Sequence, residues 1–228
     1  MTNWTILVWE KLDLYFAGLI ITLQISALGF LVGAAGGLLV CLVRLYVTPL
    51  RWLAAFYIEF ARATPILVQL LWVNYVWPEV FGWPTTAYTA AWTALALQTS
   101  GYLAETFRSG IEGIDRGQRD AAHAIGMSSS MTTIRIILPQ TLLIMSPSIM
   151  NQFIIAVKSS TLISVIGVAD LLYQAQKLVN IYYEPIEILT FTASLYLVVI
   201  FLLSSGLKKF SDVLRDRYGL SVNPAVAV

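Results

Sequence analysis

The chain has 228 residues, of which 58% are hydrophobic and only 12% are charged, and its mean hydropathy is +0.75. That is too little polar surface to cover a soluble globule, so the composition predicts an integral membrane protein. A net charge of +1 gives no support for nucleic-acid binding, and the single cysteine excludes a disulfide within the chain. The single histidine, without a Cys/His cluster or an HExxH motif, offers no transition-metal site.

The first predicted membrane span covers residues 14–43, an uncharged run with charged residues at both ends. The run is long enough to cross a bilayer with some tilt and too long for the core of a signal peptide. Within it Gly29, Gly33 and Gly37 recur at four-residue intervals, which predicts a small-residue face for close packing against another helix.

The second span is predicted at residues 64–78. Before it, residues 49–62 mix charged and aromatic side chains, which is typical of a segment lying at the membrane surface. Pro65 predicts a bend where the chain enters the bilayer. Gln69 and Asn74 are polar within this span, and they either face a cavity or form a hydrogen bond between helices.

Three further spans are predicted at residues 87–106, 134–157 and 187–207. At the end of the first of these, Glu105 and Arg108 are three positions apart, which predicts an ion pair on one helical face.

A proline, Pro147, lies inside the fourth span. It frees a backbone carbonyl, which a membrane helix tolerates where a neighbour or a cavity repairs the bonding, so we expect this helix to line a cavity. After it, residues 163–172 are too short to span and predict an element that folds back. A polar outer loop through Tyr183 and Pro185 is expected to follow.

The longest polar interruption covers residues 115–140 and lies between the third and fourth spans. Asp115 and Gln118 match a capping box, and Gly126 is a C-terminal stop signal. The helix between them has about ten residues and a length near 15 Å, about half the hydrocarbon thickness, so it cannot span. The helix signals alone favour a solvated loop between two spans.

The residues of this interruption resemble the EAA loop of ABC-importer permeases, EAA-x3-G-x9-I-x-LP. The matching positions are Asp120, Ala121, Ala122, Gly126, Ile136, Leu138 and Pro139, with every spacing kept and Asp in place of Glu at position 120. Residues 101–126 also resemble the polar amino acid subgroup of that family over their whole length, and residues 60–72 support this.

The resemblance implies an all-α integral membrane protein with five transmembrane helices and a cytoplasmic coupling helix, the type I ABC importer or MetI-like permease fold. The chain would form one permease domain, residues 1–228, with its coupling loop at 110–133. It would translocate a polar amino acid without being an enzyme itself, since MgATP would bind to partner subunits and this chain would hold no cofactor. The implied partners are two ATP-binding subunits, a second permease subunit that is either identical or paralogous, an extracytoplasmic solute-binding protein and membrane lipid.

The resemblance also implies roles within the coupling loop. Asp120 would form an ion pair or helix-terminal contact with the ATPase, and the two alanines and Gly126 would allow a close fit in its groove. Leu138 and Pro139 would fix the angle at which the fourth span leaves the loop.

Candidate substrate contacts are polar residues of the second and fourth spans, because polar groups within spans tend to face cavities. They are Gln69, Asn151, Gln152, Lys158 and Thr161. Lys158 either meets a substrate carboxylate or extends its ammonium group to the membrane interface.

The resemblance implies a bacterial inner membrane, and the basic residues predict the orientation in it, with the N-terminus outside and the C-terminus in the cytoplasm. With the coupling loop inside, only Lys11, Lys158 and Lys177 lie outside, and eleven of the fourteen basic residues lie on the cytoplasmic side. No Walker A pattern occurs, so nucleotide hydrolysis would require another polypeptide. The alternative function is an ATP-independent secondary amino acid carrier or channel.

Overall fold

The computed structural model describes residues 10–217, with side chains described as far as residue 213. This part of the chain is helical and contains no strand, which confirms the all-α prediction. The helices are α1 (Leu12–Tyr46), α2 (Arg51–Ala63), α3 (Ile66–Tyr75), α4 (Trp77–Phe81), α5 (Ala87–Glu112), α6 (Arg116–Ala124), α7 (Ser129–Thr132), α8 (Leu138–Ser159), α9 (Leu171–Tyr182) and α10 (Pro185–Arg217). Short 3-10 segments lie at Thr48–Leu50 and Ser160–Ile166, and a π-helical turn joins α7 to α8 at Thr133–Ile137.

Helix α5 forms the centre of the bundle and packs along most of α1. The glycines of α1 make this possible: a Cβ added at Gly29 would lie 2.7 Å from the Leu95 Cβ, and one at Gly33 would lie 2.7 Å from the Thr99 Cβ. Such separations are too short for real carbon atoms, so only glycine permits the two backbones to approach this closely. The predicted small-residue face is therefore confirmed.

The bend expected at Pro65 is present, because α2 and α3 meet there at 105°. Within the predicted span at 64–78, α3 has 10 residues and ends at Tyr75, and α4 begins at Trp77. At 1.5 Å per residue α3 extends about 15 Å, roughly half of the hydrocarbon core. The chain therefore enters the bundle as a broken pair of helices.

Between residues 10 and 217, three helical stretches are long and apolar enough to cross a membrane: Leu12–Tyr46, Ser129–Ile166 and Pro185–Val213. The bent pair α2–α3 would make a fourth span if it crosses as one unit. With 26 residues, α5 is long enough, but its many Ala and Thr residues give it a lower hydropathy. Because its neighbours cover it on most sides, α5 needs little apolar surface of its own. The five-span count is not confirmed and stays a prediction.

Two helices continue beyond the ends of the predicted spans, and a helix replaces a predicted loop. Helix α5 continues to Glu112, beyond the predicted end at 106, and α10 continues to Arg217, beyond 207. The expected polar loop after residue 172 is instead α9, whose Leu171, Ala175 and Leu178 are buried against α1 and α10. Spacings of four and three residues place these three side chains on one helical face. Burial of this face stabilises a helix even though the opposite face is polar.

Candidate functional site

The helix of the coupling loop, α6, is capped at both ends. A side-chain hydrogen bond caps its N-terminus, and a backbone hydrogen bond closes its C-terminus. The Asp115 carboxylate accepts a hydrogen bond from the Gly117 amide at 2.6 Å, one position earlier than a capping box with Gln118 would place it. At the other end Gly126 has φ +83°, and the Met127 amide donates to the Ala122 carbonyl at 3.0 Å. This αL termination fixes nine residues as a rod about 14 Å long.

The structure divides the first half of the EAA motif into one buried and three exposed positions. Ala122 is only 2% exposed and anchors α6 to the rest of the loop. Asp120, Ala121 and Gly126 are exposed, and a Cβ added at Gly126 would find no atom within 4 Å. Ala122 therefore supports the helix, and the other three positions present a surface with little side-chain bulk.

The carboxylate of Asp120 remains available for a partner. The four ion pairs found between residues 10 and 213 use other side chains, even though Arg116 stands one turn before Asp120 on the same helix. A charged group left unpaired on an exposed helix is suited to a contact between subunits.

Exposed apolar side chains around α6 were not identified from the sequence. Ile125 is 78% exposed, directly before Gly126, and Ile134 and Met131 are 65% and 41% exposed on the following helical segment. Large exposed apolar groups next to a polar helix, here two outside the predicted spans and Ile134 at the first residue of the fourth, are typical of a protein-protein contact. The available signal was the position of three apolar residues inside the polar interruption.

The second half of the motif lies at the junction between the π-helical turn and the first residues of α8, within the continuous helical stretch Ser129–Ile166. Ile136 and Pro139 are half-buried and Leu138 is 47% exposed. Pro139 has no amide hydrogen, and the π-helical turn at Thr133–Ile137 directly precedes it. The motif's proline thus coincides with a change in helical winding where the loop joins α8.

An ion-pair network holds the base of the coupling loop. Glu105 accepts hydrogen bonds from Arg44 of α1 at 2.9 Å and from the Arg108 Nε at 3.1 Å, and Arg108 also pairs with Glu112. The predicted pair between Glu105 and Arg108 is confirmed, and Arg44 extends it to a second helix. Because the guanidinium and carboxylate groups are partly buried, the network fixes the end of α5 from which the loop projects.

Among the candidate substrate contacts, Gln69 has a structural task at the α2–α3 bend. Its side-chain amide donates to the Ala61 carbonyl at 2.8 Å and to the Thr64 carbonyl at 3.3 Å. Pro65 has no amide hydrogen, so Ala61 lacks its usual helical donor four residues later. Gln69 is 1% exposed and supplies the missing donor, so it closes the broken helix.

The structure does not bring the other four candidates to one point. Asn151 and Lys158 are exposed and share one face of α8, because they are two turns apart. Gln152 is 7% exposed and faces the bundle, and the Thr161 hydroxyl donates to the Lys158 carbonyl at 2.9 Å. Of these, Asn151 lines a cavity of about 340 Å³ between α8 and α10.

The described residues thus form a bundle of membrane-length helices with a short capped helix between α5 and α8. The sequence model of the binding-protein-dependent transport system inner membrane component matches residues 25–213, and the chain belongs to this family. The family is the membrane permease component of ABC importers, in which separate subunits hydrolyse ATP, so this chain is not itself an enzyme.

Two curated relatives support the assignment. The arginine transport system permease protein ArtQ of Bacillus subtilis is 32% identical over 82% of this chain and 86% of its own length. The probable glutamine ABC transporter permease protein GlnM of the same organism is 32% identical over 93% of this chain and 98% of its own length.

Two solved structures share the fold. An amino acid ABC transporter crystallised with histidines has a TM-score of 0.85 at 35% identity, covering 93% of this chain and 99% of that chain. The MetNI methionine ABC transporter in an inward-facing form has a TM-score of 0.71 at 17% identity, covering 94% of this chain and 99% of that chain. The predicted MetI-like fold is confirmed.

Proposed function

We propose that this permease moves a polar amino acid inward across a bacterial cytoplasmic membrane, driven by two ATP-binding subunits. The relatives are named as permeases for arginine and glutamine, and the 35% identical structure is of an amino acid transporter, which supports a polar amino acid as the substrate. Membership of an ABC-importer family disfavours the alternative of an ATP-independent carrier or channel.

The observation that carries the proposal is the shape and chemistry of α6. This helix is closed at both ends, anchored by Ala122, and free of bulky groups at Ala121 and Gly126. An amphipathic helix with small residues on its outer side fits a groove on another protein. Asp120 would form an ion pair in that groove, and Ile125 would add apolar contact area.

The mechanism follows from how the loop is connected. Closing of the ATPase pair on ATP would displace α6, and the loop would pass this displacement to α5 and α8 at its two ends. The Arg44–Glu105 pair would transmit it further to α1. A shift of the packed helices would then exchange inward-facing and outward-facing states of a pathway shared with a second permease subunit.

The proposed orientation places the N-terminus outside and α6 in the cytoplasm. A solute-binding protein would therefore deliver the amino acid at the end of the bundle opposite α6. This arrangement is supported by the distribution of the basic residues along the chain.

Reconstitution tests the function directly. The tagged chain is purified from its native membrane with the subunits that accompany it and is inserted into vesicles with its solute-binding protein. We expect uptake of radiolabelled L-glutamine or L-arginine that requires ATP on the side of α6 and the binding protein on the other. Uptake by the chain alone under an ion gradient would instead establish the secondary carrier.

A further inference from the structure

A groove of about 210 Å³ lies between the end of α1 and the start of α2. Its two walls are Leu39, Val40 and Val43 of α1 and Leu53, Ala54 and Tyr57 of α2. The one polar group among these side chains, the Tyr57 hydroxyl, shares a hydrogen bond of 2.6 Å with the Ser100 hydroxyl of α5. The groove therefore presents an apolar surface to whatever fills it.

The groove lies where the uncharged part of α1 ends, since Val43 is the last residue of that run and Arg44 follows it. Its rim is formed by large apolar side chains that are exposed, namely Leu39, Leu50 and Leu53. Trp52 and Phe56 are also exposed on α2, one turn apart, and aromatic side chains of this kind are typical of a membrane-water interface. Lipid is the neighbour that such a rim would contact.

Arg51 provides a positive charge beside this apolar groove. It precedes the wall residue Ala54 by three positions on α2, and its Nε donates to the Arg44 carbonyl at 3.1 Å. That carbonyl belongs to the last turn of α1, where helical carbonyls lack an amide donor, so the bond fixes the guanidinium against the end of α1.

The rest of the Arg51 guanidinium is available to an anion. Arg51 is exposed and takes part in none of the ion pairs formed within residues 10–213. Four of its five N–H groups remain after the bond to Arg44, and a planar guanidinium matches the oxygen atoms of a phosphate group.

The same arginine connects the groove to the base of the coupling loop. Arg44 accepts the bond from Arg51 with its carbonyl, and its own guanidinium donates to Glu105 of α5 at 2.9 Å. A ligand bound to Arg51 would therefore stabilise the end of α1 next to the ion-pair network of α5.

We propose that this groove binds one anionic phospholipid from the leaflet on the coupling-helix side. Part of an acyl chain would lie between α1 and α2, and the headgroup phosphate would bind Arg51. The volume is below the usual 300–1,000 Å³ of sites for drug-sized ligands, and the lining is apolar, which fits a segment of hydrocarbon chain. The positive charge of Arg51 gives an anionic headgroup the advantage over a zwitterionic one.

Native mass spectrometry measures the dissociation constant of each phospholipid bound to the complex, purified in detergent with the subunits that accompany the chain. Dioleoylphosphatidylglycerol is compared with dioleoylphosphatidylcholine, which has the same acyl chains and no net charge. We expect phosphatidylglycerol to bind more tightly, and Arg51→Gln to weaken its tightest binding step about fivefold. Lys209→Gln is the matched control, because Lys209 is an exposed basic residue that does not line the groove, and it should bind like the wild type.

A second pair of variants tests the position of the acyl chain. Val43→Phe adds bulk to a half-buried side chain of the groove wall, whereas Leu42→Phe places the same ring on the neighbouring exposed position outside the groove. We expect Val43→Phe to weaken phosphatidylglycerol binding about fourfold, the effect of excluding one methylene group, and Leu42→Phe to leave it unchanged. Because Arg51 is exposed, Arg51→Gln tests the site even if Val43→Phe does not fold.

Phosphatidylglycerol binding that is unchanged by Arg51→Gln would overturn the proposal, and an equal loss in the Lys209 variant would overturn it in favour of general surface charge. Equal effects of Val43→Phe and Leu42→Phe would exclude the acyl chain from the groove. A disulfide between two copies carrying Leu53→Cys in a Cys41→Ala background would overturn the proposal by showing that a second permease subunit covers the groove. These outcomes concern lipid binding alone, so the proposed transport function would stand in each case.

Discussion

The substitution Gly126→Asp should impair docking of the coupling helix on the ATP-binding subunit and leave the chain folded. Gly126 has φ +83°, a conformation that costs an ordinary residue roughly 1–2 kcal/mol. No atom lies within 4 Å of a Cβ built at this position, so the substitution adds strain but no collision inside the chain. Against a folding free energy of about 5–15 kcal/mol, the protein should remain folded in the membrane, with a melting temperature lowered by roughly 2–8 °C.

The expected loss is in coupling, because the added carboxylate would project from the exposed face of α6 into the ATPase groove. The assay compares substrate-stimulated ATP hydrolysis and vesicle uptake with the amount of folded complex. Gly126→Asn is the matched control, since Asn has the same shape, carries no charge and tolerates this conformation. We expect coupled transport to fall in the order Gly, Asn, Asp at similar folded yields. Full transport and stimulated ATPase activity in the Asp variant would refute the docking role of this residue.

Two further predictions concern carbonyl groups that prolines leave without a donor. Pro147 has no amide hydrogen for the Leu143 carbonyl, and the Ser146 hydroxyl donates to that carbonyl at 2.9 Å instead. Ser146→Ala should lower the unfolding free energy in detergent by about 1–2 kcal/mol, and by less in a Pro147→Ala background, where the new amide bonds to the Leu143 carbonyl. Equal costs in both backgrounds would contradict this repair. Gln69→Leu should destabilise by about 1–3 kcal/mol, because two carbonyls at the α2–α3 bend lose their donor. Asn74→Leu, a polar-to-apolar change on the same helix, is the control, and an equal shift in melting temperature for both would contradict the role of Gln69.

Local signals in the sequence predicted those features that depend on local chemistry. The Gly29 and Gly33 spacing predicted the close contact with α5, since only residues without side chains permit it. Asp115 and Gly126 predicted both ends of α6, because capping and left-handed termination depend on a few adjacent residues.

Features that depend on distant partners were missed or misassigned. Gln69 was a candidate for the substrate pathway because it is polar within a span, and the structure instead supports the other interpretation, a hydrogen bond between helices. The sequence predicted the bend at Pro65, but it did not give the 105° angle that places Gln69 next to the Ala61 carbonyl. The polar residues on the exposed face of α9 predicted a loop, whereas the apolar residues at helical spacing on its other face are buried in the bundle. The Leu171 amide bonds to the Thr22 hydroxyl at 3.2 Å, a contact across 149 positions that fixes the start of this helix.

The most direct test of the account is cross-linking between the coupling helix and the ATP-binding subunit. The chain has one cysteine, Cys41, so Cys41→Ala gives a background into which Ala121→Cys or the control Val80→Cys is introduced. Val80 is 65% exposed on α4, which the proposed orientation places outside. The account predicts that residue 121 cross-links to the ATP-binding subunit and that residue 80 reacts only with a membrane-impermeant maleimide added outside. Labelling of residue 121 from outside, or its failure to cross-link in a complex that hydrolyses ATP, would contradict the account.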